Sequence, residues 1–221
     1  MDIVAKALLA FCASALVLGA MLFVPAGTFE YWQAWLYMGI IFAMMAVVVA
    51  YFLASDPQFL ERRFQMKEKE AKQRHLQKFS VPIFLMAFLL PGLDYRFGWS
   101  HVPVEIVLLG DFFVLLGYGI IFLVFHENSY AGRTIRVEKG QKVIDTGPYS
   151  IVRHPMYVGM LVFCLATPVA LGSYVALLAF LLVIPVIVYR IGNEEEVLRK
   201  ELKGYAGYCE KVKYRLVPGI W

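Results

Sequence analysis

The residues of this chain best suited to chemistry fall in two clusters. The first reads Gly147-Pro148-Tyr149-Ser150-Ile151-Val152-Arg153-His154-Pro155-Met156-Tyr157-Val158-Gly159; the second reads Tyr189-Arg190-Ile191-Gly192-Asn193-Glu194-Glu195-Glu196. Both adjoin long apolar runs, where charged groups are expensive unless they are used. His154-Pro155 reads as a helix start, because proline is tolerated in the first turn. The free N–H groups of such a turn favour an anion, for example a carboxylate. Arg153 and Arg190 are further anion-binding candidates. Glu194 stands four residues after Arg190, so an unbroken helix pairs the two. Glu195 stands at i+5, roughly 140° round a helix of 3.6 residues per turn, and faces elsewhere unless Gly192-Asn193 bends the chain. Taken singly, His154 is an interfacial histidine, Tyr157 an aromatic-belt anchor and the glutamate run a solvated face. Together they point to a site for a charged ligand at a membrane surface.

The elements that must position this site are apolar helices. Of 221 residues, 60% are hydrophobic and 17% charged, and the mean hydropathy is +0.65. That composition is wrong for a soluble globule. The charges lie between long apolar runs, as in an α-helical membrane protein, and no alternation marks a transmembrane barrel. The expected fold is all-α and polytopic, with about six membrane segments at residues 3–24, 32–54, 81–93, 104–125, 156–171 and 174–189. The third is short and bracketed by Pro82 and Pro91, and the fifth is also weak. Five full spans with one short or re-entrant piece is the alternative. Gly172-Ser173 predicts a tight turn between the last two. The first run is read as an uncleaved span, because its only early basic residue is Lys6 and its apolar core exceeds that of a signal peptide.

All but Arg96 of the 21 lysines and arginines flank alternate spans. They lie at Lys6, in the links 55–80 and 126–155, and in the tail from Arg190. The positive-inside rule then puts both termini in the cytoplasm. These basic residues carry no nucleic-acid-binding motif. The link 55–80 reads as a surface helix, with Leu60, Phe64 and Leu76 turned to lipid. Residues 197–212 form an amphipathic pattern expected on the cytoplasmic membrane face, carried by Val197, Leu198, Leu202, Tyr205, Tyr208 and Val212. Cys12, Cys164 and Cys209 have no metal-binding spacing. His75, His101 and His126 have no second ligand, so no metal site is expected.

Arg-His-Pro-x-Tyr at 153–157, an apolar stretch, then Glu-Glu at 194–195 resembles the isoprenylcysteine carboxyl methyltransferase family, in a prokaryotic-type form. The likeness runs from about residue 143 to 221 and divides the chain into N-terminal membrane helices (1–125) and a methyltransferase core (126–221). It implies an integral membrane enzyme using S-adenosylmethionine, with its cofactor site on the cytoplasmic side of a prokaryotic inner or plasma membrane. It also implies cofactor contacts from Gln141, Val143, Gly147, Tyr149, His154, Pro155, Tyr157 and Glu194, and catalytic or acceptor-binding roles for Arg190, Glu195 and Arg153. The acceptor it implies is lipophilic, a small molecule or a lipid-modified one, met among membrane lipids; no nucleic acid or obligate protein partner is expected. Phosphatidylethanolamine methyltransferases resemble the same region, which leaves an amine acceptor open, and a small thiol is a third possibility. Sterol reductases carry a related C-terminal half that binds NADPH, whose 2′-phosphate would suit Arg133, Arg136 and Lys142.

Overall fold

The computed structural model describes residues 2–64, 71–131, 137, 138 and 140–221. Its elements, among the described residues, are helical. In chain order they are α1 (Ile3–Ala26), α2 (Trp32–Ser55), α3 (Pro57–Phe64), α4 (Ala71–Phe97), α5 (Val104–Glu127), a 3-10 turn (Gly147–Ser150), α6 (Pro155–Ala170), α7 (Tyr174–Leu181), α8 (Val183–Glu201) and α9 (Tyr205–Lys211). Lipid offers the backbone no hydrogen bonds, so an apolar run must satisfy its own as a helix. Among the described residues, five helical stretches are long and apolar enough to cross a membrane: Ile3–Ala26, Trp32–Ser55, Ser80–Phe97, Val104–Glu127 and Tyr174–Glu201; Pro155–Ala170 is shorter. The chain is an integral membrane protein, and its described residues hold five helical stretches of spanning length and one shorter apolar helix.

The short helix is the fifth segment, not the third. Residues 81–93 were expected to end at their prolines, yet α4 runs through both Pro82 and Pro91. Neighbouring helices tolerate prolines inside membrane spans by packing against the kink. Here Gly92 lies directly on the backbone of α1, where a Cβ would strike the Leu22 carbonyl. The sixth segment breaks at Leu182 between α7 and α8. Pro185 has no N–H to offer the carbonyl four residues earlier, at Leu181, where α7 ends. The predicted turn between α6 and α7 is present. Gly172 adopts φ 69°, and Ser173 Oγ caps α7 by accepting from the Ala176 N–H at 3.0 Å.

The tightest packing joins α5 to α6, which brings the first chemical cluster against the end of α5. An ideal Cβ on Gly117 would lie 2.6 Å from the Phe163 nitrogen and 2.8 Å from the Gly159 carbonyl oxygen. Small residues at such crossings let backbones approach and gain van der Waals contact. Gly117→Ala is therefore expected to lower stability by roughly 1–3 kcal/mol. Gly39→Ala, where an added Cβ meets nothing within 4 Å, serves as control; equal thermal midpoints for the two variants in detergent would contradict this crossing. At the membrane end far from the clusters, Asp94 is 1% exposed. It accepts hydrogen bonds from the Ser100 N–H and hydroxyl, both at 2.6 Å, and from the Ser173 hydroxyl. This knot ties α4 to the α6–α7 turn.

Two amphipathic expectations need correction. Leu60 does not face lipid: it is buried with Phe59 and Phe125, because Asp56 caps α3 at the Phe59 N–H (3.0 Å) and turns it back under the bundle. The side chains of Phe64 and Leu76 fall outside the described residues. The apolar face of the tail does not lie on the membrane either. Leu202, Tyr205, Tyr208 and Val212 are buried together, with Val137, Val143 and Leu198 packed against them. Periodicity identified the apolar face but not what it covers, which is the polar connection between α5 and α6.

Candidate functional site

Where α5 ends, residues 141–149, the start of α6, the far end of α8 and the tail enclose a cleft. It holds about 860 Å³ of empty space, open water included, a size suited to a small-molecule ligand. Its start is set locally by Gly147, whose φ of 53° opens the 3-10 turn. A Cβ there would meet the Glu127 carboxylate at 3.0 Å, and the Thr146 hydroxyl donates to that carboxylate. The turn presents Tyr149 to the cleft. Its hydroxyl accepts from Asn128 Nδ2 at 2.9 Å, and its carbonyl accepts from the Tyr208 hydroxyl at 2.7 Å. Burial pushes both phenols above their ordinary range, so they act as neutral hydrogen-bonding groups.

Pro155 opens α6 with His154 at the N-cap. The strand-like tail straps this helix start: the Arg153 N–H donates to the Tyr214 carbonyl at 2.9 Å and the His154 N–H to the Arg215 carbonyl at 3.0 Å. Arg153 Nη1 adds bonds to the Val212 (2.9 Å) and Lys213 (2.8 Å) carbonyls. Glu195, only 3% exposed, closes the assembly. One carboxylate oxygen accepts from Arg153 Nε at 2.8 Å and lies 3.3 Å from His154 Nε2. The other accepts from Arg215 Nε at 3.1 Å and Nη2 at 3.0 Å, with Arg199 Nη2 at 3.7 Å. Those bonds to Glu195 are the leading reason the Arg215 guanidinium is pushed above its usual range. Arg215 also lies over the Trp221 ring, 5.1 Å from its centre.

A separate relay faces the cleft. Arg190 Nε donates to the Tyr157 hydroxyl at 2.9 Å, which donates to Glu194 Oε2 at 2.6 Å. Arg190 and Glu194 thus meet through a tyrosine on the neighbouring helix. The i+5 offset of Glu195 takes it to the opposite side of α8, into the strap, since α8 stays helical through Gly192-Asn193.

Of the residues singled out in the sequence, Gln141, Val143, Tyr149, Arg153, His154, Pro155, Tyr157, Arg190 and Glu194 all line this cleft. Gly147 and Glu195 are not among its lining residues: the first shapes the turn, the second ties the strap. Gln141 Oε1 accepts from the Glu138 N–H at 2.9 Å, which orders the bend before Val143. Sequence reasoning missed Asn128, Tyr205 and Tyr208 in the lining and Arg215 as a partner of Glu195. The two tyrosines, three apart in an amphipathic tail, carried a signal that was read as membrane contact. Arg215 carried none, being one of many basic residues. Lys142 lines the cleft, whereas Arg133 and Arg136, the other basic residues weighed for a 2′-phosphate, fall outside the described residues.

Fold and site together define a polytopic helical membrane protein with a polar ligand cleft at one membrane face. Residues 106–203 match the family model for phospholipid methyltransferase. The chain is 30% identical over 130 residues to protein-S-isoprenylcysteine O-methyltransferase B of Arabidopsis thaliana, covering 55% of this chain and 61% of that protein. It is 31% identical over 99 residues to Delta(14)-sterol reductase TM7SF2 of Mus musculus, covering 43% of this chain and 24% of that protein. The chain therefore spans about a quarter and about three fifths of the lengths of these curated relatives. Among solved structures it aligns over its whole length, and over 88% of the other chain, with the eukaryotic intramembrane Ras methyltransferase ICMT, at a TM-score of 0.48 and 16% identity. The resemblance read from Arg153–Tyr157 and the glutamate run is borne out by the family model and the Arabidopsis relative.

Proposed function

We propose that this chain is a membrane methyltransferase that uses S-adenosylmethionine and acts on a lipophilic acceptor, most like an isoprenylcysteine-type carboxylate. The observation that carries this reading is the row Arg190, Glu194 and Leu198 along one face of α8, continued by Leu202 just past the helix end, all lining one cleft. That row passes from charged to apolar, as the donor passes from zwitterion and sulfonium to purine. The residues fit the group. Val143, Leu198 and Leu202 offer a slot for a flat ring. Glu194 and the face of Tyr157 suit a sulfonium. The donor, when bound, supplies an electrophilic methyl group.

The chain's own residues then align and desolvate the acceptor. A carboxylate is already ionised at neutral pH, so it would need no base to accept a methyl group from a donor held by Val143, Leu198, Leu202, Tyr157 and Glu194. Arg190 holds the acceptor carboxylate, and Tyr157 holds Arg190 and Glu194 in register. Arg153 and His154 present the start of α6, and Glu195 is a positioning residue that fixes them both. Catalysis comes chiefly from alignment and exclusion of water. The acceptor reaches the cleft sideways from the bilayer. The distribution of basic residues supports a cytoplasmic cleft and termini, and a prokaryotic inner or plasma membrane is the setting that goes with this reading.

An amine acceptor such as a phospholipid headgroup is the second reading, favoured by the family model that residues 106–203 match. It requires a general base, and Glu194 is the carboxylate that faces the cleft. Calorimetric titration of the detergent-purified protein with S-adenosylmethionine, S-adenosylhomocysteine and NADPH tests the class, with His154→Ala as control. Micromolar binding of the adenosyl compounds, lost in the variant, is expected. Binding of NADPH alone would replace this reading with that of a reductase. Transfer of labelled methyl to an S-prenylated cysteine, to phosphatidylethanolamine or to a small thiol then separates the acceptors.

A further inference from the structure

Tyr205 begins α9 and is only 4% exposed. It lines the cleft, and its ring lies 5.8 Å from that of Tyr208. The two phenols differ in one respect. The Tyr208 hydroxyl is engaged by the Tyr149 carbonyl, whereas the Tyr205 hydroxyl is shielded from solvent with no hydrogen-bond partner among the described residues. A buried polar group left unpaired is rare in a folded protein and loses the full value of the hydrogen bonds it made with water. The fold has already desolvated this hydroxyl, so a ligand that pairs with it gains the bond without paying to strip water from it.

The position of Tyr205 says which part of a ligand it meets. Arg190 and Glu194 mark the charged end of the cleft. Leu198 lies two turns beyond Arg190 along α8, roughly 12 Å at 1.5 Å per residue. Tyr205 belongs to the far end, in one buried cluster with Leu202, Tyr208, Val143 and Leu198. That end has aliphatic and aromatic walls, lies near enough to Glu194, Glu195 and Arg153 to feel their charges, and among the described residues holds the unpaired Tyr205 hydroxyl. A flat apolar ring with polar edge atoms fits it, and a purine is such a ring.

Resting on the methyltransferase reading, we propose that Tyr205 is a specificity-determining residue whose hydroxyl pairs with the adenosyl end of the bound donor. Burial pushes its phenol above the ordinary range, so it serves as a neutral group. The hydroxyl contributes to binding of donor and product alike, and therefore to affinity and not to turnover.

Tyr205→Phe keeps the ring and removes the oxygen. Affinity for S-adenosylhomocysteine, measured by calorimetry, is expected to fall on the order of 10-fold. Binding of 5′-methylthioadenosine, which lacks the amino-acid end, is expected to weaken by the same factor. The thermal midpoint of the empty variant is expected to equal or exceed that of the wild type, because an unpaired buried oxygen has gone. A hydroxyl with a merely structural role would move that midpoint down. Unchanged affinity in the variant overturns the assignment, as does weakened binding of S-adenosylhomocysteine with unchanged binding of 5′-methylthioadenosine. Wild-type protein that binds neither compound overturns the methyltransferase reading itself, which separates the two failures.

Discussion

Glu195→Ala is expected to destabilise the protein by about 3–5 kcal/mol, the usual loss when one partner of a buried ion pair is removed. Arg153 is buried to 7% side-chain exposure and would be left with two backbone carbonyls and no counter-charge. Arg215 would lose both its bonds to the carboxylate. The strap of residues 212–215 over the start of α6 would then rest on its backbone hydrogen bonds and on the two that Arg153 Nη1 donates to the Val212 and Lys213 carbonyls. Glu195→Gln keeps the shape and one acceptor oxygen, so an intermediate loss is expected. Thermal unfolding in detergent, followed by circular dichroism, measures both. A Glu195→Ala protein that melts with the wild type yet has lost methyl transfer would show that Glu195 acts on the ligand and is not the tie described here.

The second large effect is expected at Arg190. If it holds the acceptor's anion while charge moves in the reaction, Arg190→Ala should lower turnover on the order of 10²–10³-fold. Donor affinity should change by no more than about threefold, since the slot at Leu198 and Leu202 is untouched. Arg190→Lys keeps the charge but loses the planar fork that suits a carboxylate, and an intermediate activity is expected. Single-turnover transfer of labelled methyl, with donor binding measured in parallel, separates the two effects. Full turnover in Arg190→Ala would remove Arg190 from the acceptor site. An amine acceptor gives a different pattern: Glu194→Gln, which removes a base, would then be more damaging than Arg190→Ala.

These two residues illustrate how the site was read. On a helix, i and i+5 point apart, so the sequence separated Glu195 from Arg190 only if Gly192-Asn193 left the helix unbent, and α8 does run straight through them. The sequence did not say what Glu195 meets on its own side. The partners come from residues 153, 154 and 215, up to 42 positions away. Arg190 and Glu194 were expected to pair along α8, and a tyrosine from α6 bridges them instead.

Membrane class, the six apolar segments, the turn at Gly172-Ser173 and about half of the cleft's lining were legible in the sequence. Long apolar runs admit only helices in lipid, and charge is tolerated there only where it is used, so composition and spacing suffice. Three features were decided by tertiary structure. The prolines of α4 do not end it, because α1 packs against Gly92 and compensates the break. The amphipathic tail faces the cleft and not the bilayer, because an apolar face is equally satisfied by lipid or by protein, and only the path of the connection 137–149 chooses between them. Tyr205 became a candidate ligand contact only when its hydroxyl proved to be the unpaired one of two neighbouring phenols. Periodicity tells which side of a helix must be buried; which partner buries it is a property of the assembled chain.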